Sequence, residues 1–184
     1  GHSVRTVDEC VKLSKEDVTI RTSILDKRFL FGDRGVYDKL AERFQKDVIA
    51  GRGAEFVAAK LQERADRHAR EGDSRYRVEP NVKDGKGGLR DLQTLFWLAK
   101  YIHGGKTLQQ VLDNSAFTPA DKAIFLREAR FLWTVRCHLH FLTGRAEERL
   151  SFDLQPEMAT RMGYTARQNV NAVERFMKRY FLAA

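Results

Sequence analysis

The chain has 184 residues, 42% apolar and 32% charged, a balance that excludes a disordered tract and allows one sizeable core, or one domain plus part of another. Its 33 basic and 25 acidic side chains leave a formal charge of +8, which suits an anionic partner such as a nucleotide or nucleic acid. No apolar run approaches the roughly 20 residues of a membrane span, no signal segment opens the chain, and Cys10 and Cys137 are too scattered for a disulfide framework, so a cytoplasmic address is expected.

Residues 4–13 predict a short amphipathic helix through Val4, Val7 and Val11. Asp17-Val18-Thr19-Ile20-Arg21-Thr22 alternates and is rich in β-branched residues, which predicts the one strand of the chain. A short helix over 23–31 should stop at Gly32, and Asp33 should cap the next, which carries Val36, Leu40, Phe44 and Val48 and ends at Gly51. A helix over 54–71 follows, with an apolar first half and a second half (Arg64, Asp66, Arg67, Arg70) expected to project into water. Residues 72–88 form the longest irregular stretch, including an extended Arg75-Tyr76-Arg77-Val78. A helix over 89–103 ends at Gly104-Gly105, and Thr118-Pro119 opens the longest helix, stopped by Gly144. Its face Phe125, Ala129, Leu132, Val135, Leu139 and Leu142, widened by Trp133, Cys137 and Phe141, makes it the expected centre of a bundle. A short helix from Ser151 or Asp153 to Gly163, and a last one from about 168 that reaches the end of the chain without a polar finish, complete the reading. Both ends of the sequence read as cuts.

The segment Asn81-Val82-Lys83-Asp84-Gly85-Lys86-Gly87-Gly88-Leu89-Arg90-Asp91 carries the most chemistry. Glycines before a helix let backbone approach a ligand, and the first free amides of the helix favour an anion. With Lys83, Lys86 and Arg90 around that end, the segment reads as a phosphate-contacting loop, or else as a tight turn with flanking basic side chains. It is not a P-loop, since Gly-x-x-x-x-Gly-Lys-Ser/Thr is absent. Asp17, at the start of the expected strand, is the kind of group that completes a two-metal phosphoryl-transfer site, but no Asp-x-Asp pair accompanies it, and taken alone it reads as a surface strand or cap residue. His138 and His140 lie two apart on a helix and cannot share one ion. Cys137, placed in the apolar face, is expected to be inert. Arg145, Glu147, Glu148 and Arg149 read as a solvated connector or an ion-pair hub between helices. From Lys60 to Asp91 nine basic and seven acidic side chains are interspersed. That mixture, with the lack of aromatic stacking platforms, makes a nucleic-acid module the weaker alternative.

Several stretches resemble the bacterial PII uridylyltransferase/uridylyl-removing enzymes: Gly-His-Ser-Val-Arg-Thr at 1–6, Asp-Val-Thr-Ile-Arg-Thr-Ser at 17–23, Asp-Ser-Arg-Tyr at 73–76, and Glu-Pro-Asn-Val-Lys-Asp-Gly-Lys-Gly-Gly-Leu-Arg-Asp-Leu at 79–92. Phe-Leu-Trp-Thr-Val-Arg-Cys-His-Leu-His-Phe-Leu-Thr-Gly-Arg at 131–145 belongs to the same set. The resemblance implies a mostly α helical bundle over 33–184, preceded at 1–32 by the tail of a polymerase-β-like α/β nucleotidyltransferase domain. It implies magnesium as cofactor, UTP as substrate and the nitrogen-regulatory protein PII as partner. It further implies that Asp17 serves as a metal-holding carboxylate, and that Lys83, Lys86, Gly87, Gly88 and Arg90 serve the nucleotide or the packing of domains. The Gly-Ser turn with its Asp-x-Asp pair, the His-Asp hydrolase domain and the ACT domains of such enzymes are not in these residues. The chain by itself is therefore expected to be inactive, and a domain-coupling module without nucleotide contact is the alternative.

Overall fold

A computed structural model describes residues 3–72, 74, 77–105 and 107–184. Asp73, Arg75 and Tyr76, and with them most of the expected extended stretch at 75–78, lie outside the described residues. Nine α-helices and one π-helical turn make up the described regular structure, and the only β-pairing there is two isolated bridges. The mostly α class is therefore what the chain adopts. The chain divides into two compact units, residues 1–63 with 95–115, and residues 64–94 with 116–184.

In the first unit, α1 (Val7–Glu16) begins at a capping box in which Thr6 and Glu9 bond each other's backbone N–H. The expected strand is instead helix α2 (Val18–Leu25). Asp17 is the reason: its Oδ1 accepts the N–H groups of Thr19 at 2.6 Å and Ile20 at 2.9 Å, a complete N-cap. The hydroxyls of Thr22 and Ser23 return to the carbonyls of Val18 and Thr19, so both hydroxyls are satisfied within the helix. The helix expected over 23–31 does not form beyond Leu25, and Leu30 and Phe31 point outward, leaving no apolar face to hold one. Asp33 caps α3 (Arg34–Phe44) as predicted, and α3 runs on into a π-helical turn, Gln45–Ile49. There Val48 is fully buried while its carbonyl accepts the Tyr101 hydroxyl at 2.9 Å. Val11, Leu25, Phe44, Val48, Phe56 and Tyr101 form one core, with the rings of Phe56 and Tyr101 stacked at 4.0 Å. This core draws on both sides of position 32, where the sequence placed a domain boundary. Phe56 comes from α4 (Gly53–Arg70) and Tyr101 from α5 (Leu89–His103). A short α6 (Leu108–Asn114), capped by Thr107, is an addition to the predicted elements.

The second unit is organised on α7 (Pro119–Thr143), with Thr118 as its predicted cap, here in a capping box with Asp121, and Gly144 in the left-handed conformation at its end. Leu132, Val135 and Leu139 of α7 pack with Val82, Leu89, Leu150, and with Met158 of α8 (Gln155–Arg161) and Phe176 and Tyr180 of α9 (Ala172–Ala183). Trp133, Cys137 and Phe141 do not widen this face. They are exposed, which also corrects the expectation of a sequestered thiol. The second half of α4 is likewise not solvated throughout: Arg67 and His68 are buried.

Candidate functional site

The Asn81–Asp91 loop belongs to the second unit and is pinned at both ends. Asn81 Oδ1 accepts the N–H groups of Lys83 and Asp84 at 3.0 and 2.8 Å, fixing the first turn. Val82 N–H donates to the Glu148 carbonyl at 2.8 Å and Leu150 N–H to that of Pro80 at 2.9 Å, so the loop is knitted to the segment after α7. The buried side chain of Val82 locks this pairing into the core.

The glycines answer to crowding by backbone. A Cβ on Gly88 would sit 2.8, 2.9 and 3.0 Å from the carbonyl oxygens of Val82, Gly85 and Lys83, and Gly87 has φ +78° with the backbone of Ala184 against its Cα. Their close approach is to the chain itself. The first amides of α5 are also spent: Leu89 N–H donates to Val82 O at 3.0 Å and Arg90 N–H to Lys83 O at 2.8 Å. The backbone half of the expected anion cradle is therefore filled by the loop's own carbonyls. The basic side chains remain at the surface of the turn, where Lys83 Nζ lies 3.7 Å and Arg90 Nε 3.6 Å from the carboxylate of Asp84.

Behind the loop, Asp91 is the hub. Its carboxylate accepts from Gly87 N–H at 2.8 Å, Arg64 Nε at 3.2 Å and Arg67 Nη2 at 2.6 Å, and lies 2.9 Å from His68 Nε2. Burial pushes the Asp91 carboxyl up, but the Gly87 N–H, the two guanidiniums and His68 outweigh it and hold it below the ordinary aspartate value. Arg64, Arg67 and His68 stand at i, i+3 and i+4, so one face of α4 meets one carboxylate. That spacing was visible in the sequence, but polarity alone had assigned the face to solvent. Lys86 lines a small notch of about 10 Å³ with His68, Arg77, Asn81 and Tyr180, room for about one water.

Of the other expected groups, Asp17 lies in the first unit, where it caps α2, and those backbone N–H bonds hold its carboxyl below the usual range. Among the described residues no three His, Cys, Asp or Glu side chains cluster as a metal site. The donor set of the described residues therefore does not by itself fit magnesium, and Asp17 could only lend one ligand to carboxylates from elsewhere. The ion-pair hub expected around Arg145 and Arg149 is centred on Glu148, which Arg136 of α7 grips with contacts of 2.5 to 3.1 Å.

Residues 55–184 match the family model described as GlnD PII-uridylyltransferase. The whole chain is 63% identical to the bifunctional uridylyltransferase/uridylyl-removing enzyme of Phenylobacterium zucineum, 57% to that of Rhodopseudomonas palustris and 53% to that of Azospirillum brasilense. In each case it covers 100% of this chain and 20% of the relative, so the chain spans about one fifth of these enzymes. No solved structure matches. A match over 130 consecutive residues, with identity above half across all 184, settles the assignment: the chain belongs to the GlnD PII-uridylyltransferase family.

Proposed function

We propose that this chain is the helical segment of an enzyme that transfers UMP from UTP to a tyrosine of protein PII, working in the cytoplasm with magnesium. Within that enzyme Lys83, Lys86 and Arg90 face the triphosphate of UTP. One observation carries the reading: the Asn81–Asp91 loop, in a chain whose relatives are uridylyltransferases, is stapled through Val82 to Glu148 and closed on itself by the bond from Gly87 N–H to the Asp91 carboxylate, and so holds a fixed basic turn. Because the amides of α5 are occupied, charge on the anion is met by side chains, while Gly87 and Gly88 shape the turn that spaces them. Pre-set cations lower the cost of gathering triphosphate charge, since no side chain has to be collected when the nucleotide arrives. Asp17 is the one carboxylate this chain would lend to magnesium, with its remaining ligands supplied from outside these 184 residues.

In the full-length enzyme, the Lys86→Ala, Arg90→Ala double variant should raise KM for UTP about tenfold, the loss of one to two charge-assisted contacts, with kcat changed little. The isolated chain should transfer no uridylyl group. An unchanged KM in a folded variant removes the triphosphate role. A second reading is favoured by the filled amides: the loop couples neighbouring domains. In that case the same variant leaves KM for UTP alone and lowers the stability of the whole enzyme.

A further inference from the structure

On the second unit, away from the Asn81–Asp91 loop in sequence, two shallow grooves of about 560 and 700 Å³ share Arg179 as a lining residue. Six cations border them: Arg127 and Arg130 from α7, Arg167 from the turn before α9, and Arg175, Lys178 and Arg179 from α9. Their floors are apolar, built from Leu126, Phe131 and Met162 in one and Tyr164, Val170 and Leu182 in the other. Leu126, Val170 and Leu182 are 38%, 40% and 70% exposed, which for aliphatic side chains is an unfavourable contact with water.

Internal charge compensation is small. Glu128 lies between Arg127 and Arg179, 2.6 Å from each. Burial pushes its carboxyl up, but the two guanidiniums outweigh this and keep it below the ordinary glutamate value. Arg130, Arg167, Arg175 and Lys178 pair with no carboxylate among the described residues. A surface that leaves four cations uncompensated around exposed aliphatic side chains is relieved by an occupant with an apolar face and acidic flanks.

We propose that this paired groove docks an acidic amphipathic helix of a protein partner, its apolar side on Leu126, Val170 and Leu182 and its carboxylates toward the arginine rim. A nucleic acid would satisfy the rim but not the floor. Its bases need open aromatic faces, and here the Phe131 ring is covered by the Arg179 guanidinium at 4.2 Å while Tyr164 packs on Phe176 at 5.6 Å. The exposed floor is aliphatic.

The test uses the 184-residue chain and a fluorescein-labelled 16-residue helical peptide with leucines on one face and glutamates on the other, read by anisotropy. The peptide should bind with a Kd of tens of micromolar, on the order of a small transient interface. Arg130→Glu with Lys178→Glu should weaken it at least about tenfold, and Leu126→Ser with Leu182→Ser by a similar factor. Circular dichroism checks that these surface variants stay folded. A scrambled peptide of the same composition should bind about tenfold more weakly. The proposal is overturned by no binding, by equal binding of the scrambled peptide, or by a single-stranded oligonucleotide of equal charge binding more tightly and being displaced by the same substitutions.

Discussion

Asp91 gathers two guanidiniums, an imidazole nitrogen and a backbone N–H around one mostly buried carboxylate. Arg67, itself 7% exposed, has no other carboxylate near it in the described ion pairs, so removing the charge at 91 strands a buried cation. Asp91→Asn keeps the shape and an acceptor for Gly87, and isolates the charge. Its stability at pH 7 should fall by about 3 kcal/mol. The pH dependence has a definite sign. The folded carboxyl lies below the unfolded value of about 4, so its stabilisation is complete above that value and is lost as pH falls through the lower folded one. Urea unfolding between pH 3 and pH 7 should therefore show wild type and Asp91→Asn converging on acidification. Curves that stay parallel to pH 3 would show that the carboxylate is not the source of the difference.

At the scale of helices, punctuation decided what could be read from the sequence. Thr118-Pro119 with Gly144, Asp33, and the Gly104-Gly105 stop all mark real helix ends, because caps and left-handed glycines are local chemistry. Residues 17–22 misled because β-branching is a preference for a half-buried pleated surface, and no strand stands among the described residues to supply one. A capping aspartate then outweighs that preference. The loop glycines read as making room for a ligand, whereas at Gly88 the space is taken by the loop's own carbonyls, of residues 82, 83 and 85, and at Gly87 by the backbone of Ala184, a tertiary contact without a local signal. Asp17 can be tested on both counts. Asp17→Ala should cost about 1 kcal/mol through the lost cap, and Asp17→Asn almost nothing, since asparagine caps as well. The metal role implied by the resemblance adds a second readout in the full-length enzyme: kcat should drop about 100-fold in Asp17→Asn at unchanged Tm. Full activity in that variant removes Asp17 from the metal site and leaves it a cap.

Across the whole molecule, each unit is assembled from two separated stretches of chain, so neither corresponds to a continuous segment. A division at 32/33 would part Val11 and Leu25 from Phe44 and Val48, which share one core, and a fragment starting at residue 33 would expose that apolar surface. The second core rests on Leu139 and Phe176, both fully buried. Leu139→Ala should cost about 3 kcal/mol, and Phe56→Ala in the first core about 4 kcal/mol, by lost transfer energy and the cavities left behind. Because Leu139 and Phe56 belong to separate clusters, native-state hydrogen exchange should place each loss mainly in its own unit. In Leu139→Ala, amides of α7 and α9 should exchange faster while those around Phe44 and Val48 in α3 and the π-helical turn keep their protection. Phe56→Ala should give the opposite pattern. Equal deprotection of both sets by either substitution would mean that α4 and α5, each with residues in both units, bind the two cores into a single cooperative transition.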